Sequence, residues 1–369
     1  MAKNWKRFTI MNKNRRVASV REDGTCTIYL PGMLPYNICL EKVEDTDIDT
    51  RLNNLENFYH WCSSRVLTLD RKYAKEILNS LGQKQSTTDR ERANIAISYH
   101  GVSFIDTYWI KSNRERVKFS NINLFTHSLS NAFVDVSLRG KQLAAQDTEL
   151  IDPSDAAGDV STVGVAPKAW IREGNTFYLL KAGSPKEVES ELLASKIVDC
   201  FKINHVDYQP DVYCGEKVSK SRIITSMSTS IVAIEYIQIY AQNKGFDWLE
   251  YVLKKDKYNY YMMNIVDYLI GNTDRHWGNW GFEIDNVNNK PGRLYDLMDF
   301  NKAFNSYDTI DGSYCQTTKN KISQKEAAIE AVKAVGLNQI AEIQENWFSK
   351  KSDWEMFNNR LNILKAIEE

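Results

Sequence analysis

Gly271-Asn272-Thr273-Asp274-Arg275-His276-Trp277-Gly278-Asn279 is the stretch on which the fold turns. It follows an apolar run of helical period from Tyr260 to Ile270 and places six polar or charged side chains in nine positions. A carboxylate followed five residues later by an Asn is the pattern that phosphoryl transfer uses. The acid orients the attacking hydroxyl and takes its proton, while the amide oxygen binds a magnesium ion. Asp274 and Asn279 have that separation. The same chemistry needs a second carboxylate that carries metal to the phosphates, just after a buried strand. Leu297-Met298-Asp299-Phe300-Asn301 supplies one, with Asp299 twenty-five positions after Asp274 and Phe300 as its packing neighbour. Asp296, in Leu294-Tyr295-Asp296, is an alternative metal ligand. Asp299 is preferred because two apolar residues precede it and Phe-Asn follows, whereas Asp296 is still leaving the Asn289-Lys290-Pro291-Gly292 turn.

Working outward, a phosphate-holding cation with an acidic partner is the third requirement. Lys181 ends the apolar strand candidate Thr176-Phe177-Tyr178-Leu179-Leu180-Lys181, and Glu191 lies ten residues later on a helix that starts at Pro185. Glu187, one turn earlier on the same face, competes with Glu191, while Glu189 points elsewhere. Upstream, the loop from Gly158 to Lys168, with Ser161, Thr162, Val163 and Gly164 at its centre, is the candidate cover for the nucleotide phosphates. It is neither a Walker A motif nor G-x-G-x-x-G. Taken singly, each residue has a plainer reading. An Asp or Asn in a loop is usually a turn-former or cap, a strand-end Lys is usually solvated, Arg275 and His276 suit structural bridges, and Trp277 and Trp280 suit packing. The joint spacing gives the chemical reading its weight.

Around this core the chain reads as α+β. Phe8 to Met11 and Val17 to Val20 flank a basic turn like a hairpin, and Thr25 to Leu30 is a third strand. Asp47 to Leu81 is helical, and Val102 to Ile110 is β-branched and aromatic. Between Asp147 and Gly164 the composition turns to Asp, Ser, Ala, Gly and Thr, which suits a boundary or loop. Strands follow at Lys168 to Ile171, Thr176 to Lys181, Val206 to Val212 and Ser221 to Ser226. From Ile231 helical patterning dominates, through Ser323 to Val335 and Asp353 to Ile367. The domains expected are 1–150, an α+β N-terminal domain of regulatory or interaction type; 151–230, a small β-rich lobe; and 231–369, an all-helical lobe.

Composition narrows the function classes. The 369 residues carry 47 basic and 48 acidic side chains, a net charge of −1, so no overall field draws the chain to nucleic acid or an anionic membrane. Cys26, Cys39, Cys62, Cys200, Cys214 and Cys315 are scattered, without a C-x-x-C pair or zinc-finger spacing. No apolar run reaches the ~20 residues of a membrane helix, and no secretory leader is visible. The reading is a reducing, cytoplasmic protein.

From about residue 157 to 369 the sequence resembles the HipA-like kinases, bacterial serine/threonine protein kinases that include toxins of toxin–antitoxin pairs. The resemblance rests on Asp274 and Asn279, on Leu297 to Asn301, on Lys181 and on the Ser161-Thr162-Val163-Gly164 loop. It implies a bilobal kinase-like fold, ATP and Mg²⁺ as ligands, and a protein hydroxyl as acceptor. It also implies autophosphorylation on Ser161 or Thr162 and, for its toxin members, an inhibitory partner protein. The first 140 residues do not match the short β-domain that precedes the toxin kinase core. Asp274-Arg275-His276 with Asn279 is also similar to the D-R-H-x-x-N motif of phosphatidylinositol 3/4-kinases, with Asp299-Phe300-Asn301 in the place of D-F-G. The acceptor class therefore stays open between protein, lipid and small molecule, with a nucleotide-binding pseudokinase or interaction module as the third reading.

Overall fold

The computed structural model describes residues 5–43, 47–113, 115–127, 129, 131–141, 153–162, 164–305 and 307–368. The chain divides into two units. One comprises Met1–Lys181, Thr225–Ser230 and Ile284–Lys290, and the other Ala182–Ile224, Ile231–Glu283 and Pro291–Glu369.

In the first unit, β1 (Arg7–Asn12), β2 (Arg15–Arg21), β3 (Cys26–Ile28) and β4 (Tyr108–Ser112) form a sheet in the order β3-β2-β1-β4. The expected hairpin is β1–β2, in register Phe8 opposite Val20 and Ile10 opposite Ala18. Both faces of the hairpin are buried, Ile10, Ala18 and Val20 fully so, and Phe58 of α1 (Ile48–Ser63) stacks on Phe8. Asp47 caps α1 by accepting from the Thr50 amide. α2 (Ala74–Ser80) completes the helical run read over Asp47 to Leu81, and α3 (Asp89–Ser98) follows it. The strand expected over Val102 to Ile110 is shorter, because Asp106 turns to receive Arg65 in a two-pronged ion pair at 2.8 and 2.8 Å and the ladder begins only at Tyr108.

α4 (Asn131–Arg139) and α5 (Pro153–Val160) follow. α5 lies in the segment read as a loop. Pro153 opens it, where a missing N–H costs nothing, and Ala157 and Val160 bury their side chains. The remainder of the predicted boundary, 147–152, lies outside the described residues. β5 (Lys168–Glu173) and β6 (Thr176–Lys181) form the expected hairpin, with Lys168 opposite Lys181.

The second unit opens with α6 (Pro185–Val198), started by a reciprocal capping box between Ser184 and Glu187. β7 (Tyr208–Tyr213) and β8 (Glu216–Arg222) pair around Cys214-Gly215, both at positive φ, and this two-residue turn places β8 earlier than the Ser221 to Ser226 strand expected. α7 (Ile234–Lys244), α8 (Trp248–Ile270), α9 (Gln324–Val335) and α10 (Lys351–Glu368) make the C-terminal part predominantly helical. That part also contains strands that the sequence reading passed over. β9 (Thr229–Ala233), β10 (Gly281–Asp285) and β11 (Lys290–Leu294) form a sheet in the order β11-β10-β9. The mixed α+β class with small antiparallel sheets is the one read from the sequence. Among the described residues, no helix is long and apolar enough to cross a membrane.

Candidate active site

α8 carries the candidate catalytic loop at its C-terminal end. Its last turn is apolar and buried apart from one acid, Asp267, and it stops at Gly271, where φ is +59 and a side-chain carbon would lie 2.5 Å from the Tyr307 ring. Asp267 is the anchor of the loop. It accepts from Asn272 Nδ2 at 3.1 Å and from both Nε and Nη2 of Arg275 at 2.8 and 3.0 Å. The other end of the Arg275 guanidinium donates through Nη1 to the carbonyls of Asn279, at 2.9 Å, and Met298, at 2.6 Å. One buried cation therefore fixes the helix end, the residue predicted to bind metal and the peptide just before Asp299. Burial works against its charge, but Asp267 outweighs this and raises its pKa. The structural role read for Arg275 is thus the role it has.

Asp274 and Asn279 are joined within this frame. Asn279 Nδ2 donates to the Asp274 carbonyl at 2.8 Å, and the Asp274 amide donates to Asn272 Oδ1 at 3.1 Å. The Asp274 carboxyl is half-buried, and its pKa is raised first by burial and then by the negative charge of Asp299. His276, Lys302 and Arg275 pull the other way. The two carboxylates read from the sequence as a pair thus share one electrostatic neighbourhood. His276 itself is exposed, its Nδ1 taken by the Gly278 amide at 3.0 Å.

Asp299 sits at φ +63, a left-handed conformation uncommon outside glycine but accessible to Asp. Its amide donates to the Tyr208 hydroxyl at 3.1 Å, and the following Phe300 is fully buried edge-on to the Tyr208 ring. Phe300 is therefore the packing residue expected beside this acid. The alternative, Asp296, accepts from Arg293 at 2.8 Å, and Arg293 in turn reaches Glu283 at 2.5 Å. Asp296 is thus part of a local ion-pair network with Arg293 and Glu283.

A magnesium ion would find a limited set of donors here. Among the described residues, no three or more His, Cys, Asp or Glu side chains converge as a self-sufficient metal cage. The set at hand is Asp299, the Asn279 amide and, two residues after Asp299, Asn301, whose Oδ1 is buried with no hydrogen-bond partner. Few protein oxygens and one orphaned acceptor suit magnesium, which keeps waters and takes substrate phosphate oxygens.

Of the two acids weighed on α6, Glu187 is committed elsewhere. Lys302 reaches it at 2.6 Å, which together with the Ser184 cap pulls its carboxyl down to about 2. Glu191 is the buried one and accepts from Ser219 Oγ at 2.5 Å. In the first unit, Lys181 is buried at the end of β6. Ser161 is buried with its hydroxyl on the Gly158 carbonyl at 3.2 Å. Thr162 donates to the same carbonyl at 2.5 Å and accepts from the Trp170 indole at 2.9 Å. Gly164 has φ +101, and Val163 lies outside the described residues. Trp280 is core, as expected, but Trp277 is half-exposed and donates its indole N–H to the Gln316 carbonyl at 3.1 Å.

Several contributors escaped the sequence reading. Gln316 Nε2 donates to the Thr273 carbonyl at 2.9 Å and Gln324 Nε2 to the Asn272 carbonyl at 2.6 Å, so a segment some forty to fifty residues downstream braces the loop from behind. Gln324, buried one position after the α9 cap, was the only one with a signal, a polar residue on an otherwise apolar helix face.

No family model matches the chain, and no curated protein matches it. Solved structures do. HipA of Shewanella oneidensis MR-1, in a toxin–antitoxin complex with HipB and operator DNA, aligns with a TM-score of 0.50 at 11% identity, over 98% of this chain and 89% of that one. The Helicobacter pylori proinflammatory kinase CtkA aligns with a TM-score of 0.40 at 15% identity, over 54% of this chain and 90% of that one. The alignment with HipA is one of architecture, and the chain has a HipA-like kinase fold.

Proposed function

We propose that this chain is an ATP- and magnesium-dependent kinase that transfers the γ-phosphoryl group to a serine or threonine hydroxyl of a protein. The observation that carries the reading is the Arg275 tie, which holds Asn279 and the peptide before Asp299 in one frame with Asp274. Asp274 orients the acceptor hydroxyl and takes its proton, and its raised pKa makes it a better base than an ordinary carboxylate. Asn279 and Asp299 would hold the magnesium, with Asn301 Oδ1 as a further acceptor. Magnesium, when bound, supplies charge neutralisation at the β- and γ-phosphates. Lys181 holds nucleotide phosphates, and the loop over Ser161 to Gly164 covers them.

Autophosphorylation on Ser161 or Thr162 is part of the proposal. Both hydroxyls are engaged on the Gly158 carbonyl, so either acts as acceptor only after this segment leaves its place. The division into 1–150, 151–230 and 231–369 remains our functional partition, with the kinase parts in the latter two. An inhibitory partner is proposed by analogy with HipA, whose solved structure contains HipB. A cytoplasmic location belongs to the same proposal.

The test is incubation with γ-labelled ATP and magnesium, with a mixture of proteins and, separately, phosphoinositide vesicles as acceptors. We expect label on protein Ser or Thr and on a peptide containing Ser161 and Thr162. Label on lipid alone would move the enzyme to the lipid kinases. No label with tight nucleotide binding would make it a pseudokinase.

A further inference from the structure

The first unit contains a set of contacts that the proposed chemistry leaves unused. From the end of α1 to the start of α2, the segment Leu67–Lys72 faces the loop Gly158–Lys168 along its length. The Leu67 amide donates to the Val160 carbonyl at 2.6 Å and the Lys72 amide to the Val165 carbonyl at 2.9 Å. Between them, Arg71 donates through Nη1 to the carbonyls of Asp159, at 2.7 Å, and Thr162, at 3.0 Å, and through Nη2 to that of Lys168, at 2.5 Å. Five carbonyls, two at the end of α5, two in the connection and one at the start of β5, are thus gathered on one short segment some ninety residues upstream.

Arg71 is 2% exposed, and its Nε has no hydrogen-bond partner. A guanidinium so deeply buried is costly unless its donors are met. Here all the carbonyls that meet it belong to the loop and its two ends, so its place in the fold is explained by the loop alone. Lysine would substitute only in part, since arginine's planar fork places two nitrogens against carbonyls on three separate peptides where a lysine ammonium presents one compact head. The stem of the loop is packed from the same side. A side-chain carbon on Gly158 would lie 2.7 Å from the Phe104 ring, which itself packs on Trp170 and Phe177.

We propose that Arg71 is a positioning residue for the phosphate-covering loop, which makes the front third of the chain a working part of the nucleotide site. This rests on the reading of Gly158–Lys168 as the loop over the phosphates. The physical reason lies in the loop's path, since Arg71 ties the end of α5, Thr162 and the start of β5 to one side chain and so fixes where the connection between them runs. Lys168, whose carbonyl Arg71 holds, stands opposite Lys181 in the β5–β6 register, so the two side chains share a face. Arg71 thereby sets both the loop and the strand end next to the phosphate-binding lysine.

The test uses the full chain with Arg71→Met and Arg71→Lys, comparing hydrogen exchange of peptides over 158–168 and the KM for ATP against kcat. Losing the hydrogen bonds of one side chain corresponds to roughly tenfold. We expect exchange in 158–168 and the KM for ATP each to rise roughly tenfold or more in Arg71→Met, with kcat at saturating ATP within about threefold of the intact chain and exchange over 272–279 unchanged. Arg71→Lys should fall between, and it carries the test if Arg71→Met shows no cooperative thermal transition. Unchanged exchange over 158–168, or a fall in kcat at constant KM, would overturn the proposal. An intact chain that binds no nucleotide would overturn the nucleotide reading, while the exchange measurement would still decide whether Arg71 sets the loop.

Discussion

Two loops carry the proposed chemistry, and they are held in contrasting ways. The loop 272–279 is secured first by groups close to it in sequence, Asp267 just before it and Arg275 within it, with Gln316 and Gln324 bracing it from farther down the chain. The loop 158–168 is secured by Arg71 and two main-chain amides from 67–72. In the first, an arginine is neutralised by a full buried carboxylate. In the second, the arginine is met mostly by carbonyl dipoles, and the nearby acid, Asp159, is pushed up to about 7 by burial, against the pull of Arg71. The lesson is that a catalytic loop with self-contained anchors leaves a local signature, while a loop anchored from another part of the chain does not.

The contrast can be broken by stability measurements. Arg275→Met strands the Asp267 carboxylate in the core and should cost about 3–5 kcal/mol in urea denaturation. Arg71→Met should cost less, because Asp159 can take up a proton instead of remaining as an unpaired charge. Equal losses would show that the two arginines are anchored alike.

A pH series sharpens the same point. Asp159 titrates higher in the native state than its usual 3.8, so the native state holds its proton more tightly. The stabilisation this brings is complete below about 4 and is lost as pH rises toward 7, at about 1.4 kcal/mol per pH unit. Between those limits, the stability of the intact chain should decline relative to Asp159→Asn. A constant difference across that window would show that Asp159 is ionised throughout.

Smaller effects should separate brace from chemistry. Gln316→Ala removes the donor to Thr273 and should lower kcat roughly tenfold with little change in the KM for ATP. Asp296→Asn should change turnover by no more than about threefold, since it disturbs only the ion pair with Arg293. A large loss there would reassign the metal ligand from Asp299.

What the sequence disclosed follows the same division. The separation of Asp274 from Asn279, the Phe after Asp299 and the helix start at Pro185 are features of neighbouring residues; α6 does begin at Pro185, and Phe300 is buried. The β10–β11 hairpin was hidden because Lys290-Pro291-Gly292 reads as a turn, and Pro and Gly both argue against a strand. α5 was hidden by a composition that favours loops, although Ala157 and Val160 find a buried face. Tyr208, Gln316 and Arg71 act through hydrogen bonds between positions far apart in sequence, and no local periodicity reports these.

The most direct measurement of the central claim is magnesium-dependent ATP turnover by the intact chain beside Asp274→Ala and Asp299→Asn, each shown to be folded by thermal unfolding. The account predicts turnover that needs magnesium and falls at least about 10³-fold in both variants. Turnover that survives either substitution, or an intact chain that binds no nucleotide with magnesium, would contradict it.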